Sequence, residues 1–251
     1  KTFFMNTQAT ILDEFDERYT GKGTNLLLQQ YLTQKTLQPS ELKDLGLFHG
    51  NVRSGNFRLA EQVLKNYLEH NPQDTSALMA YADVLEHRGK RNESFEIWKS
   101  LTEANPLNFI ARKTYATMLY FKITDESSVF QATDTIEFKR IVKMGLDTWK
   151  DSTDIFPVLD AMLNFHEYRY PEALVGFQRV MTIREKNGVG DPLLSDESLL
   201  VNAARSAVEI NQPLMALSYA KQALDVNSKN EVAMSVIYEM RGRVNIPSTS
   251  N

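Results

Sequence analysis

The stretch Leu59–Pro106 reads LAEQVLKNYLEHNPQDTSALMAYADVLEHRGKRNESFEIWKSLTEANP, and its landmarks recur at one step. Gly55 and Gly89 lie 34 residues apart, as do Ala60 and Ser94, and as do Asn71-Pro72 and Asn105-Pro106. The same step taken backwards from Gly55 reaches Gly21. Within each unit, two apolar-striped segments flank the glycine. Leu78, Tyr81, Ala82 and Leu85 mark the first segment, and Ser94, Trp98 and Leu101 the second. The glycine permits the positive φ that closes a helix end, and the proline cannot extend the helix before it. A unit of this length is a helical hairpin that must stack on its neighbours to bury its apolar face.

Working outward, residues 7–20 and 24–37 read as two helices with Gly21 in the turn, so 1–40 is a degenerate N-terminal hairpin. The main array is expected over 41–242. Its first unit (41–74) carries Leu42, Leu45, Leu47 and Phe48, then Leu59, Ala60, Val63, Leu64, Tyr67 and Leu68. The second unit is 75–108. A third starts at 109 with Ala111, Tyr115, Ala116 and Leu119, continues through a long turn near 123–133, and ends in a helix over about 135–149. A fourth covers 154–187, with Pro171 opening its second helix. Lys186 to Ser195, rich in Gly and Pro, reads as a second insert near 186–195. A fifth unit covers 197–230, a capping helix follows over 231–242, and 243–251 reads as a flexible tail.

Small residues at Ala60, Ala82 and Ser94, large ones at Tyr81 and Trp98, and the closing Asn-Pro resemble the tetratricopeptide repeat (TPR) family. Half-a-TPR repeats also favour aromatics such as Phe95 and Trp98, but the 34-residue step fits TPR better. The resemblance implies an all-α fold, a right-handed superhelix (α-solenoid) of helical hairpins whose concave face, lined by the first helix of each repeat, binds a protein or peptide. Carried onto this chain, the repeat register places Met79, Asp83, Lys113, Thr117, Tyr120, Val158, Met162, Phe165, Asn202 and Arg205 in that groove. Its middle, with Phe121 added, is apolar and suits an apolar or amphipathic segment. The Lys/Asn clamp that some TPR co-chaperones use on a terminal carboxylate is not matched, because Leu45 and Met79 occupy its positions.

Composition sets bounds on the function. The 251 residues include 28 Lys and Arg, scattered without a basic run, and the formal net charge is -4. Phosphate backbones need concentrated cations, so nucleic acid is not expected as a partner. There is no cysteine, which excludes disulfides and Cys-built zinc sites and suits a bacterial cytoplasmic or periplasmic protein. No apolar run is long enough to span a bilayer, so no transmembrane segment is expected. The start at Lys1 suggests a cropped chain or a form whose leader has been removed.

His49, His70, His87 and His166 form no pair at ligand spacing. Gly21-Lys22-Gly23-Thr24 is no phosphate loop, because Asp16 stands where the required earlier glycine would be. Asp13, Glu14, Asp16 and Glu17 read as a solvated helix face, and Asn92-Glu93-Ser94 as a chance glycosylation triplet. No cofactor, metal site or catalytic set is expected. The reading is therefore a non-enzymatic interaction scaffold that assists assembly of a larger complex. Two alternatives are a self-assembling structural protein (a homo-oligomer) and the regulatory or targeting portion of a larger or membrane-anchored protein.

Overall fold

The computed structural model describes residues 30–33, 37–51, 55–125 and 132–243. Most of the expected N-terminal hairpin lies outside them. So do Gly21-Lys22-Gly23-Thr24, the acidic stretch 13–17 and the tail after Arg243. Two compact units divide the chain, Lys1–Tyr115 and Ala116–Asn251. The first holds α1 (Pro39–His49), α2 (Phe57–His70), α3 (Thr75–His87), α4 (Arg91–Ala104) and the start of α5 (Phe109–Thr124). The second holds the rest of α5, then α6 (Ala132–Trp149), α7 (Ile155–His166), α8 (Tyr170–Asn187), α9 (Asp196–Glu209), α10 (Pro213–Val226) and α11 (Glu231–Arg243). No described residue is in a strand.

Each helix packs on the next in chain order, α1 on α2, α2 on α3 and α3 on α4 in the first unit, and α6 through α11 in the second. Contacts also skip one element, α1 to α3 and α9 to α11, as stacked hairpins require. Small residues set the spacing. A Cβ on Gly46 of α1 would lie 2.6 Å from Leu64 Cγ of α2, and one on Gly176 of α8 would lie 2.7 Å from Ala161 Cβ of α7. Larger side chains at either site would force the hairpin open. Of the small and large landmarks of the sequence, Ala60, Ala82, Ser94 and Trp98 are buried and Tyr81 is half-buried.

Among the described residues, the reversal inside a hairpin is built the same way four times. Gly55, Gly89, Tyr168 and Asn211 all have positive φ, at 62°, 76°, 60° and 55°. In three of them the residue after this position donates its N–H to a carbonyl five residues back: Lys90 to Leu85, Arg169 to Asn164 and Gln212 to Ala207, each at 2.8 Å. This left-handed closure satisfies carbonyls that a helix end leaves unpaired. Pro39, Pro171 and Pro213 open α1, α8 and α10, where a missing N–H removes no helical bond.

The reversal between hairpins has its own repeated unit. Asn71, Asn105 and Asn227 end α2, α4 and α10. Three residues on, Asp74, Asn108 and Asn230 each accept the N–H of a buried alanine at the start of the next helix, Ala77, Ala111 and Ala233, at 3.1, 3.1 and 2.8 Å. The Asn-Pro of the sequence is thus half of an Asn-x-x-Asp/Asn device that caps one helix and starts the next. Asn227-Ser228 shows that the proline is dispensable.

Two boundaries differ from expectation. The long turn expected near 123–133 gives up both its ends to helix, because α5 continues to Thr124 and α6 begins at Ala132 rather than near 135. The extra residues extend the helices, and Lys122 Nζ joins their ends by donating to Asp134 Oδ1 at 3.0 Å. In the second insert, Lys186 and Asn187 belong to the last turn of α8, and Ser195 is the N-cap of α9.

Asp74 is the most connected of these caps. Besides Ser76 and Ala77, it accepts from Lys43 Nζ of α1 at 2.8 Å and Tyr67 OH of α2 at 2.7 Å. Burial alone would raise its carboxyl, but the bonds from Lys43, Tyr67, Ala77 and Ser76 outweigh it and hold the group well below the usual carboxylate range. The same bond, aided by burial, pushes the Tyr67 phenol up to about 12. Asp74→Ala removes a cap and the anchor that ties α1 and α2 to α3. It should cost about 2 kcal/mol, read as a lower urea midpoint at neutral pH.

His49 ends α1, buried, and neither ring nitrogen has a hydrogen-bond partner among the described residues. Burial lowers its pKa from the ordinary 6.5. The unfolded chain then binds a proton that the folded one refuses, so stability is full above that ordinary value and falls as pH drops through it. The urea midpoint should fall between about pH 7.5 and pH 5.5 in the wild type, and much less in His49→Leu.

Candidate functional site

The first helix of each hairpin carries the expected groove residues, and the two units are taken separately. In the first, Met79 and Asp83 sit one turn apart on α3, both half-buried, and half-buried Lys113 is on α5. Asn108, at the start of α5, reaches Met79 Sδ with its Nδ2 at 3.9 Å, which places that helix start beside the middle of α3. In the second unit, Thr117 is half-buried on α5. Met162 and Phe165 pack half-buried on α7 against the core, and Asn202 and Arg205 lie on α9.

Two expected groove residues are core instead. Val158 is fully buried, enclosed with Ala161, Ala173 and Phe177. It shares a face of α7 with Met162 and Phe165, four and seven residues on, but is covered where they stay half-exposed. Tyr120 is only 9% exposed; its ring lies 6.2 Å from Phe138, and burial raises its phenol. The neighbouring Phe121 is exposed.

The structure does bring α7 and α9 together at Phe165 and Arg205. The Arg205 guanidinium carbon stands 5.0 Å from the centre of the Phe165 ring. Phe165 in turn meets Phe177 and Tyr170 edge-on, at 6.1 and 5.6 Å. A cation over an aromatic face is attracted by the ring quadrupole, and the contact fixes an otherwise mobile arginine. The resulting surface is apolar with one positive edge. Among the described residues, no group of three or more His, Asp or Glu side chains could hold a metal ion, and no helix is long and apolar enough to cross a membrane.

Two features escaped the sequence reading. One is Tyr168, which takes the left-handed turn position held by Gly89 in the second unit. The alignment His87-Arg88-Gly89-Lys90 against His166-Glu167-Tyr168-Arg169 would have found it. The other is Arg184 near the end of α8. Its Nε donates to Asp154 Oδ2 at 2.7 Å, its Nη1 to Asp196 Oδ1 at 2.7 Å, and its Nη2 to the carbonyls of Asp191 and Leu194 at 3.1 and 2.7 Å. Asp154 also accepts the Asp191 N–H, at 2.9 and 3.0 Å to its two oxygens. One guanidinium thus fastens the whole second insert to the N-cap residue of α7. A Cβ on Gly190 would collide with it. A cleft of about 290 Å³ between α8 and α9 borders this clasp, floored by Met181, Leu199 and Leu200.

Stacked antiparallel hairpins with a left-handed inner turn define a helical-repeat solenoid. More narrowly, the fold is that of TPR proteins. MamA from Desulfovibrio magneticus superposes with a TM-score of 0.59 at 11% identity, over 77% of this chain and 97% of that one. A TPR protein from Parabacteroides merdae gives 0.52 at 14% identity, over 94% and 96%. PilW, a type IV pilus biogenesis factor, gives 0.55 at 13% identity, over 83% and 93%. Neither a family model nor any curated protein matches the sequence.

The side chains of Arg184 and Asp154 are 10% and 5% exposed, so removing the cation strands a buried carboxylate. Arg184→Ala should destabilise the second unit by about 3–5 kcal/mol. It should also make 188–195 a protease-cleavage site, while Arg184→Lys retains part of the stability. Urea denaturation and limited proteolysis check both outcomes.

Proposed function

We propose that this chain is a non-enzymatic scaffold that holds a protein or peptide against the first-helix faces of its hairpins and assists assembly of a larger complex. The observation that carries this reading is the open stripe Met162, Phe165, Asn202 and Arg205. These side chains keep solvent exposure on two adjacent helices while the residues behind them, Val158, Ala161, Ala203 and Ala204, are fully or almost fully enclosed. A surface of aromatic, thioether, amide and guanidinium groups over a rigid core has the composition of an interaction hot spot. The neighbouring PilW is itself a biogenesis factor, in keeping with an assembly role. Met79, Asp83, Lys113 and Thr117 are proposed as part of the same partner-binding function.

A second reading, self-assembly, is favoured by the last helix. There Met234 and Tyr238, one turn apart on α11, stand 44% and 85% exposed.

The test is capture of partners by tagged protein from its native source, identified by mass spectrometry and repeated with Met162→Asp plus Asn202→Asp. Both sites are partly exposed, so the variant should keep its helical circular dichroism. At least a tenfold loss of one captured protein is expected. Undiminished capture would remove the groove from consideration. Recovery of the chain alone, in multimers, would favour the second reading.

A further inference from the structure

Tyr168 contradicts the rule that the rest of the array follows. At the equivalent position the other described hairpin turns place Gly55, Gly89 and Asn211, residue types that tolerate a positive φ. Tyr168 adopts φ 60° with a bulky side chain and is nevertheless 78% exposed, so burial does not offset the strain. Strained backbone of this kind clusters at functional sites. Its ring meets Tyr170 edge-on at 6.2 Å, and Tyr170 meets Phe165 at 5.6 Å, giving a continuous ridge of three rings. Arg205 ends the ridge over Phe165. It is exposed and forms no ion pair or hydrogen bond among the described residues. By contrast, the nearby Arg169 is already paired with Glu167 at 2.6 Å.

We propose that Tyr168, Tyr170, Phe165 and Arg205 form a docking site for an internal, extended protein segment in which an acidic residue is followed by leucine or proline. The apolar residue seats against the two tyrosines and the carboxylate meets the Arg205 guanidinium. This inference rests on the groove reading above and names the chemistry of its partner. The charge complement is specific. Arg205 is the cation the ridge presents without an ion-pair partner of its own, and its planar fork suits a carboxylate. A chain-terminal carboxylate is not required, since the site lies at the hairpin turn and an extended segment can run past it.

The probes are two capped peptides of roughly ten residues, about 33 Å extended, that alternate leucine and proline with aspartate in one and lysine in the other. Binding is followed by NMR through the amides of Tyr168 and Tyr170 and the Arg205 Nε–H. The aspartate peptide should bind at least tenfold more tightly than the lysine peptide, and Arg205→Glu should remove that preference. Tyr168→Gly should weaken binding at least tenfold while Tm stays equal or rises, because it relieves the turn. A merely structural tyrosine would instead lower Tm on replacement. Equal binding of both peptides, binding of neither, or full binding by Tyr168→Gly overturns the proposal. Should Met162→Asp plus Asn202→Asp abolish capture of the native partner while Tyr168→Gly and Arg205→Glu leave it intact, the groove reading stands and this one falls.

Discussion

The described hairpins depend on closing the backbone at their reversals without leaving buried carbonyl or N–H groups unpaired. The helices themselves are short and only moderately amphipathic, and such helices gain most of their stability from packing. Packing needs the hairpins to return at a fixed distance and angle, and the reversals supply that. Inside the hairpin, the left-handed residue lets the following N–H reach back to Leu85, Asn164 or Ala207. Between hairpins, Asn71, Asn105 and Asn227 end one helix, and Asp74, Asn108 and Asn230 start the next. Once both reversals are satisfied, small residues such as Gly46 and Ala161 can meet their neighbours closely.

The same logic explains the two inserts. A longer connection needs its own polar bookkeeping, and the second insert finds it in Arg184, which serves two carboxylates and two carbonyls at once. The insert is therefore a tied-down part of the scaffold. The first connection is handled by lengthening α5 and α6 and pinning their ends through Lys122 and Asp134. Charged groups near the repeat period do comparable work elsewhere. Glu61 of α2 accepts from Lys90 and Arg88 beyond α3, and the bond from Lys90 leads in holding its carboxyl below the ordinary range.

What could be read from the sequence was whatever recurs. Gly55, Gly89 and the two Asn-Pro pairs announced the step, and the apolar stripes placed the helices within a few residues. The cap Asp74 was visible in principle, three residues after Asn71, but a single polar residue between helices carries little weight without its partners. Groove residues were harder. A helix position faces out or in according to a rotation that periodicity resolves only to about one residue, since neighbouring side chains stand about 100° apart. That limit does not separate Val158 from Met162 and Phe165, which lie four and seven residues on and share its face of α7; Val158 is enclosed because it packs in one cluster with Ala161, Ala173 and Phe177. Arg184 was invisible because its four partners come from two separate segments, Asp154 and 191–196, and no spacing rule links them. Tyr168 was hidden by its own identity, since a turn signal is sought in glycine and asparagine, and a tyrosine reads as core.

The side-chain hydrogen bonds described above reach at most 37 residues along the sequence, from Asp154 to Asp191. A protein held by contacts of such short reach has low contact order, and its ordering can begin at any hairpin and spread by accretion. Within each unit, opening should then be graded. Amide exchange should be slowest at the buried helix positions within Ala60–Val84 and Phe177–Ala204, whose helices pack on a neighbour before and after them in the chain.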